Sequence, residues 1–101
     1  MRSIVAVQLD KWRPALILTR QSKLRLLTWV TIAPITSTIR GITSEVLVGR
    51  RNGLDHDSVV SCDNVVTVRV NAVGNTIGVF FDDQEPALAL AISDAFDLLL
   101  P

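Results

Sequence analysis

The side chains of this chain that can do chemistry are arginines and hydroxyls. Arg13 stands between Trp12 and Pro14, with Lys11 just before, and Thr36-Ser37 closes an apolar run that begins at Leu26. If the run after Arg13 and the run before Thr36 pair as antiparallel neighbours, the start of one lies beside the end of the other. Arg13 and Thr36-Ser37 then share one rim of a sheet, and a guanidinium fork with hydroxyl donors makes a phosphate site. Without that pairing, Arg13 is a solvated rim charge and Thr36 an ordinary β-branched strand end. Other chemistries have less to work with. His56 is the one histidine, so no histidine pair can act within a single chain, and its place between Asp55 and Asp57 reads as a solvated turn. No Cys/His spacing matches a zinc site, and Asp55/Asp57 offer too few oxygens for a calcium loop. There is no phosphate-binding glycine loop. Cys62 lies in an apolar run with no basic neighbour in sequence and reads as a structural thiol.

The elements that must position these residues are mostly strands. Ile4 to Leu9 reads as a strand, followed by a polar break at Asp10-Lys11-Trp12. Pro14 opens the apolar run Ala15 to Thr19, and a basic connection spans Arg20 to Arg25. Leu26 to Ile35 reads as a long central strand, in which Pro34 implies a bulge or local edge. A loop around Gly41, a short strand from Glu45 to Val48 and a turn at Arg50-Arg51-Asn52-Gly53 follow. Ser58 to Cys62, Asn64 to Val70 and Ile77 to Phe81 complete about seven strands, with a loop expected at Asn71 to Asn75. This spacing predicts a small barrel or sandwich. The period then changes. Asp82-Asp83-Gln84-Glu85-Pro86 is a helix start with a capping Asp, and Leu88, Ile92, Phe96 and Leu99 predict an amphipathic helix of about four turns running toward Leu100. Ser93, Asp94 and Asp97 take its polar face.

The charges are sorted by position. Residues 1–51 carry nine Lys/Arg against two acids, and residues 52–101 carry one base against eight acids, so excesses of seven face each other in a chain of zero net charge. That asymmetry fits a face suited to a polyanion, and it equally fits two halves attracting each other across one core. At 101 residues and 49% hydrophobic the chain is expected to be one domain, 1–101, with some apolar surface left for a subunit contact. No secretory signal is expected, because no basic N-terminal region precedes a long apolar stretch. No membrane span is expected either, since Ala87 to Leu100 is short and carries Asp94 and Asp97. A single cysteine fits a reducing compartment.

Five segments taken in order carry a family likeness: Arg13-Pro14-Ala15-Leu16-Ile17-Leu18, Ala33-Pro34-Ile35-Thr36-Ser37, Glu45-Val46, Asn52-Gly53-Leu54 with Asp57-Ser58-Val59-Val60, and Asp63-Asn64-Val65-Val66-Thr67. Together they resemble the MazF/PemK family of toxin endoribonucleases over nearly the whole chain. The resemblance implies a mainly β fold with a C-terminal helix, an SH3-like β-barrel that forms a homodimer. It implies cleavage of single-stranded RNA at short sequences, with neither metal nor cofactor, by attack of the RNA's own 2′-hydroxyl. The family's arginine before proline falls on Arg13 and its catalytic threonine on Thr36. Ser37, Asn64, Trp12, Lys11, Arg20 and Arg40 are the candidate RNA-binding residues. A cytoplasmic location and control by a MazE-like antitoxin with an acidic, apolar C-terminal segment are also implied. The chain departs from the family in lacking the carboxylate of an opening Arg-Gly-Asp/Glu, in its short Asp10-Lys11-Trp12 connection, and in Asn64 where glutamine is common. Two other readings use the same barrel: a protein-binding toxin like CcdB, and a nucleic-acid-binding barrel without catalysis.

Overall fold

Among the described residues seven strands form one curled antiparallel sheet, and a single α-helix packs over one of its faces. The computed structural model describes residues 1–99, the side chain of Arg25 excepted; the expected helix end at Leu100 lies outside the described residues. In chain order the strands are β1 (Arg2–Gln8), β2 (Trp12–Ile17), β3 (Trp29–Thr36), β4 (Glu45–Val48), β5 (Ser58–Ser61), β6 (Val66–Arg69) and β7 (Val73–Phe80), followed by α1 (Glu85–Ala95). The spatial order is β4-β5-β3-β2-β1-β7, with β6 also on β3.

The continuous apolar runs arise because the sheet is covered on both faces. Along β1 and β2, Ile4 and Leu16 join a core under α1, while Val5, Val7, Ala15 and Ile17 join a second core on the other face. Alternation then places apolar side chains at nearly every position. Strand β3 is central: β2 lies along one side, and along the other β6 pairs with residues up to Ile32 and β5 with residues from Ile35. Pro34, with no N–H to give, sits at this changeover. No ladder joins the edge strands β4 and β7 among the described residues, but the turn after β4 bridges them. Asn52 is buried there, and its Nδ2 donates to Val79 O at 2.9 Å and to Gln84 Oε1 at 2.7 Å. Gly53 takes φ 92° at this turn, and a Cβ on Gly78 would collide with the Asn52 carbonyl.

Several expected boundaries move. Trp12 is the first residue of β2 rather than part of the break, because it pairs with Gln8 across a tight turn. Residues Gln21–Leu26 form a 3-10 helix, so β3 starts only at Trp29, and Asn64 sits in a 3-10 turn ahead of β6. The expected loop at Asn71 to Asn75 is largely strand, since β7 begins at Val73 and pairs along β1. The helix has 11 residues, not four turns. It ends where Asp97 takes φ 53° and Leu98 N–H reaches back to Ser93 O at 2.8 Å, a left-handed stop that leaves Phe96 and Leu99 exposed. Ser93 is buried instead of solvent-facing, and its hydroxyl donates to Ala89 O. No Asp caps the helix; Gln84 Oε1 accepts from Phe81 N–H at 3.0 Å instead.

Candidate active site

The β2–β3 ladder decides where Arg13 and Thr36 meet. Ala15 pairs with Pro34, Leu16 with Ala33 and Ile17 with Ile32. Continuing this register two residues past Ala15 brings Thr36 opposite Arg13, at one rim of the sheet. Arg13 leaves the Leu9–Lys11 turn, which is closed by Leu9 N–H donating to Lys11 O at 3.0 Å. That turn returns Asp10 onto Arg13. Arg13 Nε donates to Asp10 Oδ1 at 2.7 Å, and Nη2 to Oδ2 at 2.8 Å. The pair uses one edge of the guanidinium. Nη1 and the remaining Nη2 hydrogen form a second edge, with no protein acceptor among the described residues.

This geometry sets protonation. The Arg13 hydrogen bonds hold the Asp10 carboxyl well below the ordinary carboxylate range, so it is ionised at neutral pH. Asp10 in turn raises the Arg13 pKa, chiefly through the same hydrogen bonds. Arg13 therefore keeps its proton more firmly than a free arginine, which suits it to stabilising negative charge rather than to removing a proton. Thr36 Oγ1 accepts from Thr38 N–H at 3.1 Å, leaving its own hydrogen free to be donated.

Arg13 and Thr36 line two adjoining clefts at once. The first, about 420 Å³, also holds Lys11, Trp12, Ser37 and the turn containing Asp55 and His56. The second, about 470 Å³, also holds Asp10, Arg40, Glu45, Asp63 and Asn64. Glu45 shapes this second cleft, because its Oε1 accepts from Arg40 N–H at 3.1 Å and Gly41 N–H at 2.9 Å, pinning the loop that carries Arg40. Asn64 Nδ2 donates to Ser61 Oγ at 2.8 Å, which leaves its amide oxygen outward as an acceptor.

Seven of the eight residues singled out from sequence thus line one or both clefts. Arg20 does not: it borders a separate cavity with Met1, Arg2 and Glu85, past the far end of β2. Three residues of the clefts were not legible as such. Asp10 has a local signal, an acid three places before an arginine across a tight turn. His56 lies in an exposed turn as its neighbours imply, yet β5 pairs Val59 with Thr36 and so carries that turn to the cleft. Glu45 acts through the loop before it. Cys62 stays outside this chemistry. It is fully buried, and burial first, then Asp63, pushes its thiol up to about 11. Among the described residues no three His, Cys, Asp or Glu side chains cluster as a metal site.

A family model described as PemK-like, MazF-like toxin of type II toxin-antitoxin system matches residues 3–96. The chain belongs to the PemK/MazF toxin family. It is 56% identical over 98 residues to endoribonuclease MazF3 of Mycobacterium tuberculosis, covering 97% of this chain and 95% of that protein. Among solved structures, Mycobacterium tuberculosis toxin MazF-mt6 superposes with a TM-score of 0.96 at 55% identity, covering 98% of this chain and 100% of that one. An endoribonuclease in complex with its cognate antitoxin from a mycobacterial species shares the fold, with a TM-score of 0.86 at 23% identity over 98% of this chain and 95% of that chain. In this PemK/MazF toxin the curled sheet and helix are thus the family fold, and Arg13 and Thr36 form a ridge between two clefts at one rim of it. Among the described residues no helix is long and apolar enough to cross a membrane.

Proposed function

We infer that this PemK/MazF-family chain is a toxin endoribonuclease that cleaves single-stranded RNA, with Arg13 and Thr36 as its catalytic residues. The observation that carries the reading is their common ridge: a guanidinium with one edge held by Asp10 and one edge open lines the same two clefts as a threonine hydroxyl with a hydrogen to give. In the proposed reaction the RNA's 2′-oxygen bonds to the adjacent phosphorus as the P–O5′ bond breaks. The 2′-hydroxyl loses its proton and the departing 5′-oxygen gains one, leaving a 2′,3′-cyclic phosphate and a 5′-hydroxyl. Negative charge builds on the non-bridging oxygens between these events. Arg13 and Thr36, with Ser37, donate to those oxygens, where pre-placed donors lower the barrier most. The nucleophile comes with the substrate, and its 2′-hydroxyl is what separates RNA from DNA. Arg40, Lys11 and Asn64 supply phosphate and base contacts along the two clefts.

The reading extends to partners and place. A homodimer would set two such ridges along one groove, and a cognate antitoxin with an acidic, apolar tail would cover it; that a mycobacterial endoribonuclease of the same fold is found in complex with its cognate antitoxin supports an antitoxin partner. The toxin would act in the cytoplasm, where RNA is reached. The test is incubation of the purified protein with mixed-sequence RNA in EDTA, followed by end-group analysis. Cyclic phosphate and 5′-hydroxyl ends are expected. Intact RNA, or 5′-phosphate ends, overturns the mechanism.

A further inference from the structure

Trp12 is 55% exposed although an indole is among the most favourable side chains to bury. Its ring does not wave in solvent. It lies against Gly74 of β7, where a Cβ would stand 2.8 Å from Trp12 Cζ3 and 3.3 Å from Cη2. Only a glycine lets the ring settle this close to the strand, so one part of the indole rests on bare backbone and the rest is open to the first cleft. That cleft also holds Lys11, Arg13 and Thr36, with Pro14, Leu54 and Ile77 as apolar wall. Trp29 makes the contrast. It is 50% exposed, but the Arg69 guanidinium covers its ring at 4.7 Å, and it lines neither cleft of the ridge. One exposed indole is already stacked; the other is seated, open and beside a phosphate site.

We propose that Trp12, laid on Gly74, is a stacking platform for one unpaired nucleobase of the RNA, adjoining the phosphate held at Arg13 and Thr36. The inference rests on the ribonuclease reading and adds a base-binding position to it. Cations beside an open aromatic face and an apolar wall are the combination that holds single strands, with the base on the ring and the phosphates on the charges. Such a platform takes any base, because every base has a π-face, so it adds affinity without reading sequence. A purely apolar subunit contact would have no use for Lys11 and Arg13 at the same cleft.

The test uses the full chain with Trp29→Phe, which leaves Trp12 as the sole indole. One probe is a random-sequence 2′-O-methyl heptanucleotide, which carries no 2′-hydroxyl and stays intact. The other is an abasic 2′-O-methylribose-phosphate heptamer with the same sugars and phosphates. The heptanucleotide should quench Trp12 emission saturably and bind about 5- to 150-fold tighter than the abasic strand. Trp12→Ala should narrow that gap at least about fivefold and leave abasic affinity unchanged, whereas Trp12→Phe should restore most of it. Gly74→Ala, which lifts the ring without removing it, should reduce the gap. Heptanucleotide binding with Trp12 unquenched overturns the platform, as does a gap that Trp12→Ala leaves unchanged. A Trp12→Ala variant that changes only sedimentation also overturns it, assigning the ring to a second copy of the chain. If the wild type neither binds the probes nor cleaves mixed RNA, the ribonuclease reading itself falls.

Discussion

Arginines at two ends of the sheet are used in opposite ways. At the seam where the C-terminal segment meets the start of the chain, the acids Asp82, Asp83 and Glu85 are all engaged. Arg2 donates through Nε and Nη2 to Glu85 at 2.8 and 3.1 Å and through Nη1 to Leu18 O at 2.7 Å. The Met1 amine pairs with Asp82 at 2.7 Å, and Arg51 pairs with Asp83 at 2.8 Å while stacking on Phe81 at 4.7 Å. Each pair joins a base of residues 1–51 to an acid of residues 52–101. At the rim, by contrast, Arg13 is held by an acid of its own turn, and half its guanidinium stays open. The seam accounts for one reading of the charge sorting along the chain, the attraction between its two halves. The acids at the helix start neutralise the seam, and the cations around Arg13 are left facing the clefts. Among the described residues no carboxylate pairs with Lys11 or Arg40.

The contrast is broken most directly at Arg13. Arg13→Ala is expected to lower the RNA cleavage rate roughly 10²–10³-fold, the usual cost of removing one transition-state donor, with circular dichroism and melting temperature unchanged. Thr36→Ala should act in the same direction, since its hydroxyl shares the ridge. Cleavage near the wild-type rate by either folded variant would mean that the ridge is not the reacting surface.

Asp10 is the next lever, because it decides which edge of Arg13 is presented. Asp10→Asn keeps the shape of the turn but loses the charge that holds the guanidinium. A loss of up to about 10²-fold, carried by kcat more than KM, is expected from misplacing a reacting group. The sign of the pH dependence follows from the depressed carboxyl. A group whose folded pKa lies below its ordinary value favours the ordered state above that ordinary value and loses the effect as pH falls through the depressed one. The Arg13–Asp10 pair is therefore intact across the neutral range, and a kcat profile between pH 6 and 8 (about the range where histidine titrates) should carry no Asp10 step. A titration that disappears in Asp10→Asn would contradict that assignment.

Much of this ridge is legible in the amino-acid sequence, and the reasons are local. Ala15 to Leu18 and Val30 to Ile35 are apolar and β-branched enough to force strands, and antiparallel pairing alone then joins Arg13 to Thr36. The rest depends on what sequence does not carry. Leu88, Ile92, Phe96 and Leu99 keep a helical period, yet the left-handed turn at Asp97 stops the helix, because the backbone stop is set by one residue's φ rather than by apolar spacing. Asn71 to Asn75 looks like a loop, but Val73–Phe80 is an edge strand that tolerates polar residues on its open side. Arg20 looks like Arg13, a base beside an apolar run. Only its position past the other end of β2, some 13 Å or more from Arg13 at about 3.3 Å per residue, takes it away from the two clefts.

The smallest expected effect on activity belongs to the seam, and it completes the contrast. Arg2→Ala removes three hydrogen bonds from a guanidinium whose side chain is 28% exposed, and it leaves the Leu18 carbonyl and Glu85 without their partner. Partial exposure lets water replace some of these bonds, so the loss of stability is expected at about 1–2 kcal/mol, the range for a charged hydrogen-bonding group. Urea unfolding would register this as a lower midpoint at unchanged slope. Cleavage per folded molecule should stay within about twofold of wild type, because a surface substitution away from a reacting group perturbs little beyond its own contacts. The two arginines would then separate cleanly, Arg13 changing rate without stability and Arg2 stability without rate. A large rate loss in Arg2→Ala at full folding would mean that the seam and the rim are mechanically coupled through β1 and β2, whose registers run from one to the other.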